Sequence, residues 1–239
     1  MKYCVSFAMI CMLVGCYEGY GTHEGKDVWY DDWNAGAGDR PIHVMEDVEG
    51  KLVVLSDHRY AKTADNVYLM GIKIYDADPD TFTTLEYPFS KDKKHVYCGS
   101  LYLVDANPDG FQLLFQEPTF GMLIRSDKKP FIKVYGDHPA LGQESEYCTK
   151  PAWSTDGKSI YYAYAKVEKA NANSFTPLDG LYGKDDKNIF YGHDVVDGAD
   201  HSTFVVDDRG YARDKDHFFV KGKPANAAQM KAISKSISK

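Results

Sequence analysis

Six apolar residues, Val67, Val96, Phe131, Ile160, Ile189 and Phe218, follow one another at steps of 29, 35, 29, 29 and 29 residues. A period of this length constrains the fold more than any composition does. Each unit is a supersecondary element too small to bury its apolar face alone, so it must stack on its neighbours. Every anchor is followed by a second apolar or aromatic residue: Tyr68, Tyr97, Ile132, Tyr161, Phe190 and Phe219. Four positions before the anchor stand Asp92, Asp127, Asp156, Asp185 and Asp214, with Thr63 in the first unit. Fifteen positions after it come Phe82, Phe111, Phe175 and Phe204, but Glu146 in the Phe131 unit and Ile233 in the last.

Within a unit, an aromatic and a Lys or Arg precede the Asp, as in Tyr60–Lys62, Phe89–Lys91 and Tyr211–Arg213. Asp followed by Lys, Asn or Gly between two β-prone runs signals a tight turn, because Asp bonds its own backbone two residues on. Each unit therefore contains a β-hairpin, and Gly71, Gly99, Gly192 and Gly222 mark a second turn. Asp78-Pro79 and Asn107-Pro108 place a capping side chain directly before Pro, which starts a short helical turn, and Asn173 or Asp200 precedes the same Phe later. That Phe is expected to plug the turn onto the sheet. The fold class is thus mainly β, with tandem hairpin repeats of about 29 residues and short helical turns, as a stacked array or a closed β-rich ring. The repeat domain is assigned to residues 45–225 and an Ala-rich tail to 226–239.

The N-terminus has different logic. Lys2 precedes the apolar run Val5 to Val14, and Gly15 and Cys16 close it. A basic start, a short apolar stretch and small residues form the layout of a secretory signal peptide, too short to span a bilayer. Leu13-Val14-Gly15-Cys16 resembles the bacterial lipoprotein lipobox, which implies cleavage after residue 15 and acylation of Cys16. Tyr17, where Asp would signal retention, resembles the outer-membrane default of Gram-negative lipoproteins. Residues 16–44, with Gly19, Gly21, Gly25, Gly36 and Gly38 among acidic and aromatic residues, are expected to be a lipidated tether. Losing Lys2 with the leader takes the formal net charge from −7 to −8, which excludes nucleic acid as a charge-driven partner and suits a basic protein. After processing, Cys98 and Cys148 remain as an even pair in a compartment that permits disulfides, open to bridging or to standing as separate thiols.

Lys184-Asp185-Asp186-Lys187-Asn188-Ile189-Phe190-Tyr191-Gly192, followed by Ala199-Asp200-His201-Ser202-Thr203-Phe204, is similar to the signature of the bacterial DKNYY family. That signature runs from an aromatic, a small residue and Lys through Asp-Lys-Asn, a Val-Tyr-Tyr strand and a Gly turn to Ala-Asp-x-x-Thr-Phe. The resemblance spans roughly residues 50–225 and implies an architecture without supplying an active site.

Asp105, Asn107, Asp109 and Gly110 match the first positions of a calcium loop, but Gln116 stands where the bidentate Glu belongs, and a turn with a helix cap explains them. His193, His201 and His217 lie near acidic residues without metal-ligand spacing and are expected in polar turns. Nucleophile and phosphate-binding motifs are missing, so neither catalysis nor a metal or cofactor is expected. Most of the 18 tyrosines sit at framework positions, leaving Trp29, Tyr30, Trp33 and Trp153 as aromatics outside the repeat. The segment Gly136 to Cys148 replaces the capped turn and its Phe, as a binding face or a neutral insertion. The expected function is a lipid-anchored envelope binding protein with an unknown protein partner. Two versions compete: a periplasmic immunity-type protein that neutralises a toxin, and a structural or maintenance lipoprotein contacting peptidoglycan or an assembly partner.

Overall fold

The computed structural model describes residues 18–31, 40–45, 48–116, 152–163, 165–179, 181–206 and 212–237. These form six small antiparallel sheets in chain order, and among the described residues none closes as a barrel. The N-terminal sheet holds β1 (Gly19–His23), β2 (Lys26–Tyr30) and β3 (Ile42–Val44). Five four-stranded sheets follow. Sheet I contains β4 (Val53–Val54), β5 (Tyr60–Lys62), β6 (Val67–Leu69) and β7 (Ile72–Ile74), and sheet II contains β8 (Thr83–Thr84), β9 (Phe89–Lys91), β10 (Val96–Cys98) and β11 (Leu101–Tyr102). Sheet III takes β12 (Gln112–Gln116), β13 (Ala152–Thr155), β14 (Ile160–Tyr162) and β15 (Ala165–Lys166). Sheet IV has β16 (Thr176–Pro177), β17 (Tyr182–Lys184), β18 (Ile189–Tyr191) and β19 (Asp194–Val195). Sheet V has β20 (Val205–Val206), β21 (Ala212–Arg213), β22 (Phe218–Val220) and β23 (Lys223–Pro224).

The hairpins fall where the turn chemistry puts them. The second turns use left-handed backbone at Met70-Gly71, Gly99, Ala163, Gly192 and Lys221-Gly222. Paired positive φ values at 70–71 and 221–222 fit the primed turns whose twist matches a hairpin. Gly222 also has no room for a side chain, since a Cβ there would lie 2.7 Å from Cβ of Tyr191 in the preceding sheet.

One apolar core runs from Tyr60 to Phe190 through sheets I to IV, and a second from Tyr182 to Phe219 through sheets IV and V. The repeated Phe ties one sheet to the next. Phe82 packs between Tyr60 of sheet I and Tyr97 of sheet II, and Phe175 between Trp153 of sheet III and Phe190 of sheet IV. Phe204 repeats this between Tyr182 and Phe219, while Phe111 meets Phe89. Beneath the Phe175 ring lies Gly183, the small residue that follows the aromatic of the second strand, and the same position carries Ala61, Ser90, Ser154 or Ala212 in the other sheets. At Gly183 a Cβ would stand 2.3 Å from Phe175 Cζ.

Three expectations need correction. Residues 16–44 are not simply a tether, because Val28 and Trp29 on β2 are fully buried. Tyr20 pairs with Trp29 and stacks on it edge-to-face at 5.0 Å, as Tyr182 does with Tyr191 at 5.0 Å. The Tyr20 hydroxyl accepts from Gly71 N–H, as the Tyr182 hydroxyl accepts from Gly222 N–H. The N-terminal sheet is therefore a diverged unit that caps sheet I. Second, Trp29 and Trp153 are framework residues, and Trp153 fills the position of Tyr60, Phe89 and Tyr182; Trp33 lies outside the described residues. Third, the unit anchored on Phe131 supplies none of the four strands of sheet III. Sheet III takes its first strand from 112–116 and its second from 152–155, pairing Gln116 with Ala152. Asp127, Phe131 and the segment 136–148 lie outside the described residues.

Beyond sheet V, the tail forms α1 (Ala227–Ile237). Asn226 and Gln229 cap it reciprocally: Gln229 N–H donates to Asn226 Oδ1, and Asn226 N–H to Gln229 Oε1. Ile233, at the plug position of the last unit, is buried.

Candidate functional site

The repeated aspartates are the most chemically loaded side chains of the array. Asp92, Asp156, Asp185 and Asp214 are all buried. One carboxylate oxygen closes the local turn: Asp92 Oδ1 accepts from the N–H groups of Lys94 and His95 at 2.6 and 2.7 Å. Asp156, Asp185 and Asp214 do the same two and three residues on. The other oxygen reaches back to the plug turn that begins its unit. Asp92 Oδ2 accepts from Asp78 N–H at 2.9 Å, Asp185 Oδ2 from Asn171 N–H at 2.9 Å and Asp214 Oδ2 from Asp200 N–H at 2.8 Å. Tyr97 and Tyr161 add hydroxyl donors to Asp92 and Asp156 at 2.9 and 3.1 Å. Sheets IV and V carry Phe190 and Phe219 there, so this donor is absent. Thr63 does only the local half of the task, its hydroxyl accepting from Asp65 and Asn66 N–H.

Three of these latches span 14 residues, and the fourth, Asn107 N–H to Asp156 Oδ2 at 3.2 Å, spans 49. The excess of 35 residues equals the irregular step in the repeat, so the array closes across residues 117–151 and continues as if they were an insertion. Gly110 sits so close that a Cβ would lie 2.4 Å from Asp156 O.

The residue heading each plug turn caps it: Asp78, Asn107, Asn171 and Asp200 accept from the N–H two residues on. Asn171, not Asn173, is therefore the cap of its unit. Asn107 caps a short 3-10 helix, Pro108–Gly110, to which Asp109 belongs. Among the described residues no group of three or more His, Cys, Asp or Glu side chains could hold a metal ion. Two of the three histidines are structural pins between units: His193 Nε2 donates to Tyr162 O at 2.9 Å and His201 Nε2 to Asp185 O at 2.7 Å. His217 Nδ1 lies 3.6 Å from Asp214.

Burial pushes the carboxyls of Asp92, Asp156 and Asp214 up, but the converging N–H donors outweigh it and hold all three below the ordinary carboxylate range. A carboxyl whose pKa is depressed on folding contributes stability that is full above its unfolded value and disappears as pH falls through the folded one. The unfolding midpoint in urea should accordingly hold steady from pH 7 to 5 and drop steeply below about pH 4. A midpoint that is flat down to pH 2 would show that the latches are not ionised.

A model of the DKNYY family matches residues 60–223. The chain belongs to the DKNYY family. No curated protein and no solved structure matches it. The DKNYY signature now has a physical reading. Its aromatic carries the plug, its small residue makes room beneath the plug, and its Asp joins two turns. Its Lys reaches the next plug turn, with Lys62 Nζ on Pro79 O at 2.6 Å and Lys91 Nζ on Pro108 O at 2.9 Å. Cys98, fully buried on β10, is disulfide-bonded, while Cys148 and Cys16 lie outside the described residues. Among the described residues no helix is long and apolar enough to cross a membrane.

Proposed function

We propose that this DKNYY protein is a lipid-anchored binding protein of the bacterial envelope, facing the periplasm from the outer membrane and working without catalysis, metal or cofactor. One observation carries the reading. The repeated carboxylates and the pinning histidines, which are the array's best candidates for acid–base work, are already engaged in holding backbone groups. A carboxylate that accepts three or four donors is a scaffold element, since its oxygens are already committed. The 35 residues that interrupt sheet III, which include the segment 136–148, are then the natural carriers of partner contacts, since repeat arrays place binding in insertions on one face. Pairing of Cys98 with Cys148 would tie that insertion to the array.

The partner we propose is a basic toxin, which suits the acidic body, with this protein acting as its immunity factor at the membrane. Expressing each neighbouring gene in the periplasm with and without this protein tests it. A neighbour that kills only in its absence supports immunity, and a set of harmless neighbours removes it. Anchoring is tested separately: Cys16→Ser should abolish acyl labelling and leave an uncleaved or soluble protein. Normal membrane retention of that variant contradicts the anchor.

A further inference from the structure

Each four-stranded sheet covers the outer edge of its second strand with a first strand, and among the described residues the N-terminal sheet has no such cover. In the N-terminal sheet β1 takes the place of β5, β9, β13, β17 and β21, by the equivalence of Tyr20 and Trp29 with Tyr182 and Tyr191. The β1–β2 turn at Glu24-Gly25, with φ of 52° and 78°, makes His23, Gly21 and Gly19 the residues bonded to β2. Asp27 O, bonded to Met45 N–H on the far side, confirms this register. Tyr20 and Thr22 therefore turn their backbone groups outward, and of these Thr22 O accepts from the Tyr30 hydroxyl at 3.1 Å.

The other units show what fits such an edge. Tyr60 O accepts from Leu55 N–H at 2.9 Å, Phe89 O from Leu85 N–H at 3.0 Å and Tyr182 O from Leu178 N–H at 2.8 Å. The Leu in each case follows the short first strand, which is Val53-Val54, Thr83-Thr84 or Thr176-Pro177. The strand's second residue stands opposite the small one, as Val54 does opposite Ala61. At the matching place in the N-terminal sheet, Gly21 is covered by the Tyr30 ring, whose Cε2 would lie 2.8 Å from an added Cβ. The plug position is thus already filled, and among the described residues only the strand is wanting. With the processing proposed above, before Cys16, only Cys16, Tyr17 and Glu18 would precede β1, too few for a two-residue strand, its Leu and the turn to Tyr20.

We propose that the outer edge of β1 docks an extended segment of a partner protein, two β-branched residues followed by Leu, running antiparallel with the Leu N–H on Tyr20 O. This rests on the binding-protein reading above and names the chemistry of one contact. Gly-Tyr-Gly-Thr of β1 lacks such a pair, so a second copy is the poorer occupant. The probe is a synthetic peptide of this chain's residues 51–57, Lys-Leu-Val-Val-Leu-Ser-Asp, titrated onto the purified full chain. Saturable binding is expected, with at least about a tenfold loss when the second Leu is N-methylated, since that removes one main-chain bond. A similar loss is expected for Thr22→Pro, which removes an outward N–H and leaves the β1–β2 bonds intact. No saturable binding, or equal binding of the N-methylated peptide, overturns the proposal, as does a dimer of the chain that Thr22→Pro dissolves. If Thr22→Pro fails to fold, the N-methylated peptide decides. Failure here with intact toxin neutralisation would remove this edge and leave the immunity reading standing.

Discussion

Replacing Phe82, Phe111 or Phe204 by Ala is expected to lower the unfolding free energy by about 3–5 kcal/mol, as deletion of a buried aromatic does elsewhere. All three rings are buried. The loss is large because the plug is shared: without Phe204, Tyr182 of sheet IV and Phe219 of sheet V lose the ring that joins them. Phe175 is partly exposed and should cost less. Urea denaturation of the four variants measures this, and losses of only a few tenths of a kcal/mol at the three buried positions would mean the rings do not join the sheets.

Asp92→Ala should destabilise by about 3 kcal/mol, with no apolar volume to blame. The substitution strands the N–H groups of Asp78, Lys94 and His95 and the Tyr97 hydroxyl, and buried donors without acceptors each cost about 1–3 kcal/mol where water cannot reach them. Asp92→Asn keeps one acceptor oxygen for the local turn and loses the charge, so it should fall between Ala and the native residue. Asp92→Thr is the informative control. Thr63 already closes the same turn in sheet I without a reach-back contact, so Thr should restore the turn and leave only Asp78 N–H and the Tyr97 hydroxyl unserved. Equal stability of the Ala and native proteins would deny the latch any role.

Much of this was legible in the residues. The 29-residue period, the Asp turn, the Gly turn and the plug Phe are local signals, and each marks a backbone conformation or a burial that recurs. Three things were not legible, for one shared reason: a period reports what each segment prefers, whereas stacking is decided by partners far away in sequence. The Phe131 unit carries the hairpin pattern, yet Asp156 latches Asn107 and sheet III closes without that unit. Tyr20 and Trp29 were not legible as a repeat unit because Glu24-Gly25 replaces the Asp turn and Tyr20 lies 40 residues before Tyr60 rather than 29. The second oxygen of each Asp was likewise invisible, since an Asx turn explains the residue without it.

The central claim is that residues 117–151 interrupt one sheet of an otherwise continuous array. Deleting those 35 residues would shorten the Asn107–Asp156 latch from 49 residues to the 14 of its counterparts. Thermal unfolding of the deletion variant carrying Cys98→Ala, compared with full-length Cys98→Ala so that neither protein holds the Cys98 disulfide, tests this directly. The account predicts a single cooperative transition with a midpoint close to that of the reference, and a variant that is unfolded or melts without cooperativity would contradict it.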